Sequence, residues 1–225
     1  MPTSPSDIKG TFLGINRHRL GIDGHGVVTL VAFMGCPLRC EYCLNDMCHD
    51  TTKNWRQLTV QQLIDELMVD NLYFLATDGG VTFGGGEPLL HSRFIEEFGK
   101  TCDPHWNITL ETSLNVPLEH LERVYPYVKC YFIDIKDMNR DIYERYTCLS
   151  QDNLLTNLEW LMSQPGAVDK VTVRLPHIPD YNTQADVDHS RKVLEEMGVK
   201  NFDEFDYVIR NKEEKKNGKR KESVQ

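Results

Sequence analysis

Three thiols crowd into one short stretch of the chain, Met34-Gly35-Cys36-Pro37-Leu38-Arg39-Cys40-Glu41-Tyr42-Cys43-Leu44-Asn45. The spacing CxxxCxxC supplies three thiolates on a loop that can wrap a cuboidal iron–sulfur cluster. A [4Fe-4S] cluster takes four cysteines when fully ligated, so three local ligands leave one iron coordinatively open. An open metal position is where chemistry happens, by the logic that separates catalytic from structural zinc. Two other occupants stay open. Zinc is more usually held by CxxC pairs, and Cys48 could complete a four-cysteine electron-transfer cluster. Cys102, Cys130 and Cys148 are scattered singly and read as buried reduced cysteines.

Other chemistry-bearing residues sit at the ends of short apolar runs. Gly84-Gly85-Gly86-Glu87 follows Val81-Thr82-Phe83, and missing side chains there let backbone approach a ligand closely. Asp134 and Lys136 are two apart on a strand-like run, so both point to one face. On a buried strand such charges are costly unless partnered. Arg174 lies in a similar run, with an ion pair as its plainest role.

These residues need a scaffold that brings strand ends together. Candidate strands are Val27–Phe33, Val81–Phe83, Ile108–Glu111, Tyr131–Ile135, Val171–Leu175 and Phe205–Ile209. Helical patterns fall between them at Leu58–Leu75, His91–Lys100, Leu118–Val124, Arg140–Tyr146, Asn153–Met162 and Ala185–Met197. Thr59 is a predicted N-cap, with Gln62 at the capping-box position. Six strands alternating with helical crossovers predict an α/β fold with a mostly parallel sheet, its site at the C-terminal strand ends. The expected domains are a single core over residues 1–210 and a charged, disordered tail over 211–225.

The chain has 225 residues, enough for one sizeable core, and a formal net charge of -9 that argues against nucleic acid as a partner. No run approaches a membrane span, and Met1-Pro2-Thr3-Ser4 opens no signal peptide, so a cytoplasmic location is expected. Seven cysteines, an odd number, suit a metal site better than a disulfide framework.

With these motifs in view, the sequence resembles the radical S-adenosylmethionine (SAM) superfamily, and within it the glycyl-radical-enzyme activases. The resemblance runs through Ile22-Asp23-Gly24-His25-Gly26, Cys36–Asn45, Gly80–Leu90, Leu110-Glu111-Thr112-Ser113, Phe132-Ile133-Asp134-Ile135-Lys136 and Val173-Arg174-Leu175-Pro176. It covers roughly residues 10–210, with motifs in the family's order at strand ends. It implies a partial (β/α)6 radical SAM barrel in a single domain. It also implies a [4Fe-4S] cluster on Cys36, Cys40 and Cys43, with SAM on the open iron. Tyr42 and Asn45 match adenine-contacting positions, although Tyr42 also suits a core role. Gly85, Gly86 and Glu87 match the edge that binds the SAM amino group. Lys136 matches a contact to the SAM carboxylate or ribose, and Asp134 a contact to ribose and a monovalent cation. Glu111 and Thr112 match the acidic–Thr pair of that cation site, with Glu in place of the usual Asp. Arg174 and Pro176 complete the expected cofactor contacts.

Three departures stand out. Thr147 is followed by Cys148 where the family has Thr-Gly. The segment after residue 205 lacks the family's Pro-Tyr-His, with Tyr207 a candidate replacement. Nothing between Cys48 and Gly84 resembles a ferredoxin-like insertion, so a one-cluster type is implied. The implied activity is that of an oxidoreductase: a flavodoxin- or ferredoxin-type donor reduces the cluster, SAM is split, and a hydrogen leaves a glycine of a partner glycyl radical enzyme. No general base is needed, so the histidines receive no catalytic role; His25, in its glycine-flanked turn, is the one to watch. Another small radical SAM enzyme, acting on a small molecule or modifying a peptide, is the alternative.

Overall fold

The structure is a computed structural model that describes residues 8–209; the expected tail over 211–225, and with it the core boundary at 210, lies outside the described residues. The chain runs β1 (Lys9–Leu20), β2 (Val27–Phe33), β3 (Arg56–Thr59), α1 (Val60–Leu67), α2 (Asn71–Thr77), β4 (Gly80–Gly85) and α3 (Ser92–Thr101). It continues through β5 (Asn107–Thr112), α4 (Leu118–Val124), β6 (Cys130–Asp134), α5 (Arg140–Thr147), α6 (Asp152–Met162), α7 (Ala167–Lys170), β7 (Val171–His177), α8 (Gln184–Glu196) and β8 (Asn201–Asp206).

All strands share one eight-stranded sheet in the order β3-β1-β2-β4-β5-β6-β7-β8. From β2 to β8 every neighbouring pair is parallel, the six-unit arrangement expected. Two antiparallel strands, β1 and β3, extend that array beyond β2. Neither was expected. Register shifts in β1 break its period-two alternation, and β3 is only four residues long.

The helix expected over Leu58–Leu75 is divided. Its start belongs to β3, and a 3-10 turn at Met68–Asp70 separates α1 from α2. Asp70 explains the break. Its carboxylate is buried, and Arg17, His18 and the Thr29 hydroxyl, 2.9 Å away, converge on it. A charge out of water needs such partners, and a continuous helix would not present it to β1 and β2. The capping box at the start of α1 is formed as read, with Thr59 and Gln62 exchanging both bonds. Val60, Leu63, Ile64 and Leu67 form the buried stripe of α1, each contributing about 1.5–3 kcal/mol by its burial.

The last strand lies earlier than expected, at Asn201–Asp206. Its pairing with β7 begins at Thr172 opposite Asn201 and ends at His177 opposite Asp206. Val208 and Ile209, strand-like in sequence, have run past the end of β7 and are exposed. The core is one continuous cluster in which Phe12, Phe33, Phe83 and Phe94 stack on one another next to β2 and β4.

Candidate active site

The cysteine loop leaves the C-terminal end of β2 and is held from three sides. The backbone N–H of Gly35 donates to Cys48 O at 2.9 Å, which closes the loop on itself. The N–H groups of Arg39 and Glu41 donate to Thr147 O and Tyr146 O at 2.8 and 3.2 Å, docking the loop on the end of α5. The N–H groups of Gly86 and Glu87 donate to Phe33 O and Gly35 O at 2.9 and 2.7 Å, tying in the end of β4. The glycines are forced by this contact. A Cβ on Gly86 would lie 2.1 Å from Gly35 O, and Gly85 has φ +90 with Ala32 Cβ 2.7 Å from where its own Cβ would be. The run of glycines therefore seats β4 against the cysteine loop.

Cys36, Cys40 and Cys43 are in no disulfide and are of intermediate burial. Among the described residues no three His, Cys, Asp or Glu side chains already meet in a metal-holding cluster, so the loop presents its thiols without drawing them to one point. Burial raises the Cys36 thiol, helped by the nearby Glu87 carboxylate. Burial also pushes Cys40 up to about 11, against the pull of Lys136. Thiols ligate as thiolates, so such groups keep their protons until a metal displaces them. The donor set fits three corners of a [4Fe-4S] cluster. Cys48 is buried in the 3-10 turn that follows, close enough for its thiol to feel Cys43 and Cys40.

Around this loop several expected site residues gather. Asn45 Nδ2 donates to Gly85 O at 2.9 Å, so the cysteine loop and the glycine edge share a rim. Lys136 lies 3.8 Å from Asp134 with its side chain 13% exposed. Burial works against its ammonium, but Asp134 and the Cys40 thiol outweigh that and hold it above its ordinary value. Tyr42 packs edge-on against Tyr146 and Tyr181 and donates to Asp180 at 3.3 Å. Tyr207 donates from its hydroxyl to Tyr42 O at 2.8 Å, which brings the segment after β8 onto the loop. Pro176 is buried at the end of β7, its carbonyl accepting from Asn182 Nδ2 at 3.1 Å.

Glu87 and Thr112 turn toward each other. The Glu87 carboxylate is 1% exposed and accepts from Thr112 Oγ1, Ser113 Oγ, Ser113 N–H and Leu89 N–H at 2.6, 2.6, 2.9 and 3.1 Å. Thr112 Oγ1 accepts in turn from Leu114 N–H at 2.9 Å. These side chains satisfy one another, so Glu87 is a buried brace between β4 and β5.

Glu111 likewise turns to Arg174, at 2.8 Å, and away from any pairing with Thr112. Burial raises the Glu111 carboxyl while Arg174 pulls it down, and Arg174 stays above its ordinary value despite burial because Glu111 and Asp134 surround it. The guanidinium stacks 4.5 Å over Phe132 and donates to Ile22 O at 3.3 Å. The Ile22–Gly26 turn is thereby pinned under the same strands. Thr82 Oγ1 donates to Asp23 O at 2.6 Å, and Arg19 pairs with the Asp23 carboxylate.

Three contributors escaped the sequence reading: Ser113, Tyr181 and Asp137. The last is a buried carboxylate after Lys136 that accepts from Asn182, Ser190 and the Asn139 N–H at 3.1, 3.2 and 2.8 Å. Ser113 stood inside a quoted motif; the others carried no signal in spacing.

Residues 30–193 match the Radical SAM superfamily, and the chain belongs to it. It therefore works with a [4Fe-4S] cluster and SAM, and the cysteines at 36, 40 and 43 fit that motif. Within the superfamily the chain is 33% identical to the (2S)-3-sulfopropanediol dehydratase activating enzyme of Klebsiella oxytoca, over 71% of this chain and 69% of that one. It is 30% identical to the pyruvate formate-lyase-activating enzyme of Staphylococcus aureus, over 73% of this chain and 67% of that one. The crystal structure of Streptococcus suis SuiB bound to precursor peptide SuiA superposes with a TM-score of 0.61 at 14% identity, covering 80% of this chain and 39% of that one. At that identity the likeness is one of fold alone. Among the described residues no helix is long and apolar enough to cross a membrane.

Proposed function

We propose that the chain is an activating enzyme that reductively cleaves SAM and abstracts a hydrogen from a glycine of a partner glycyl radical enzyme. The observation that carries the reading is the shared rim: three cysteines on one loop, bridged by Asn45 to the Gly85 edge, beside the largely enclosed Lys136. The relatives named as activating enzymes support a protein as the substrate.

In this reading Cys36, Cys40 and Cys43 hold the cluster. When bound, cluster and SAM supply a one-electron reduction that splits the sulfonium and a 5′-deoxyadenosyl radical that removes hydrogen. The chain's own residues bind and orient. The backbone of Gly85 and Gly86 receives the methionine end of SAM, and Lys136 offsets its carboxylate. Tyr42 and Asn45 face the adenine, with Tyr207 holding the Tyr42 backbone in place. Asp134 takes the ribose, and Arg174 and Pro176 form the wall beneath. Glu87 positions β4 against β5. Glu111 is committed to Arg174, so no monovalent cation is assigned to it. A flavodoxin- or ferredoxin-type protein supplies the electron, in the cytoplasm.

The test is anaerobic reconstitution followed by reduction with SAM and a candidate partner. The expected result is 5′-deoxyadenosine together with a glycyl-radical doublet in the EPR spectrum of the partner. Replacing all three loop cysteines by alanine should abolish both. Purified protein carrying zinc, or 5′-deoxyadenosine formed only on adding a small molecule, would overturn the reading.

A further inference from the structure

Outside the cofactor rim lies a cleft of about 430 Å³, between the start of β1, the start of α3 and α4. This is the size of a site for a small organic molecule. Lys9, Arg93 and Arg123 bring three cations to its lining, with Glu119 the carboxylate there and Arg123 paired to Glu96 at 3.6 Å, in a chain whose net charge is -9. Among the described residues the Lys9 ammonium and the Arg93 guanidinium have no hydrogen-bond or ion-pair partner. Ile8, Leu90 and Phe94 add apolar surface to the same lining.

The interior of the cleft is organised. Ser92 is buried, and its hydroxyl receives Arg123 Nη1 at 2.9 Å and meets His120 Nδ1 at 2.9 Å. The two cations without partners, Lys9 and Arg93, favour an anion, and the apolar wall favours one with a hydrocarbon body.

His91 connects this cleft to the cysteine loop. Its Nε2 meets Met34 O at 2.7 Å, and its ring lies flat on Phe33, 4.3 Å between centroids and 9° from parallel. Met34 is two residues before Cys36.

We propose that this cleft binds a small organic anion, a phosphate or carboxylate head on a short apolar body, and that its occupancy stiffens the Met34–Cys36 stretch through His91. The site is separate from the SAM contacts and does not depend on the identity of the protein substrate.

Isothermal titration calorimetry of the full chain tests it, with phenyl phosphate and inorganic phosphate as probes and sodium chloride at matched ionic strength as control. The expected result is saturable binding of phenyl phosphate with a Kd on the order of 0.1–1 mM, tighter than inorganic phosphate. The Lys9→Glu, Arg93→Glu double variant should lose about tenfold or more in affinity through reversal of two exposed charges. Its unligated melting temperature should match the parent's, because among the described residues neither side chain has a partner to lose. Hydrogen exchange at the Met34–Cys36 amides should slow when phenyl phosphate is bound. Absence of saturable heat from both probes would overturn the proposal, as would unchanged affinity in the double variant or an equal response to chloride. Binding of an acidic protein surface with no competition from either small anion would also overturn it.

Discussion

Glu87→Gln isolates what the buried carboxylate does. One oxygen accepts from Thr112 Oγ1 and Leu89 N–H, the other from Ser113 N–H and Ser113 Oγ. Glutamine keeps one acceptor and turns the other into an NH₂ group. Whichever way it sits, one backbone N–H and one hydroxyl lose their acceptor. The hydroxyl can rotate and accept from the new amide; the backbone N–H cannot. An orphaned buried N–H costs about 1–3 kcal/mol, and replacing charged by neutral acceptance at the remaining bonds costs about 1 kcal/mol more. Against this stands the relief of no longer burying a carboxylate, whose pKa is already raised by that burial. The expected net loss is about 2–3 kcal/mol. Urea unfolding of the metal-free protein at neutral pH, followed by circular dichroism, measures it. A loss below about 0.5 kcal/mol would show that the four contacts do not act as a brace.

Three further outcomes are expected. Cys148 ends α5 at φ 60, where glycine is free of the penalty a side chain carries, so Cys148→Gly should stabilise the protein by about 1 kcal/mol in the same unfolding assay. Burial depresses the His91 imidazole below its ordinary 6.5, against the Met34 carbonyl that favours the charged form. The stability this neutral ring contributes is therefore present above the unfolded value and lost as pH falls through the lower folded one. His91→Phe should flatten the acid side of the stability–pH curve, and an unchanged slope would refute the assignment. Tyr207→Phe removes the bond to Tyr42 O and should raise KM for SAM about threefold to tenfold, the worth of one hydrogen bond, with thermal stability nearly unchanged.

The parallel strands from β2 to β7 were legible because each is a β-branched or aromatic run between helical patterns, as in Val27–Phe33. The acid-rich Asn201–Asp206 of β8 carries no such run, and the expectation fell on Phe205–Ile209. β1 was not legible, since its register shifts spoil the alternation that periodicity depends on. The break between α1 and α2 was hidden for another reason. Asp70 looks like a surface carboxylate in sequence, and only its meeting with Arg17, a residue 53 positions away, shows it to be buried. The same limit applies to the site. Local spacing revealed the thiols and the Asp134–Lys136 pair, whereas the direction of Glu87 and the pairing of Glu111 with Arg174 are set by contacts between strands distant in sequence. The glycines after Phe83 were read as room for a ligand; much of their purpose is room for Gly35.

β8 closes the order of strands with nothing paired to its far side among the described residues. An unpaired strand is a template for association with a sister molecule. Asp203, Glu204 and Asp206 put three acids on its six largely exposed residues, partly offset by Arg174, Arg191 and His177, and a sister edge would have to bring its own three acids against them. Association through this strip should thus be favoured by concentrated salt and by acid, where that repulsion is screened or discharged.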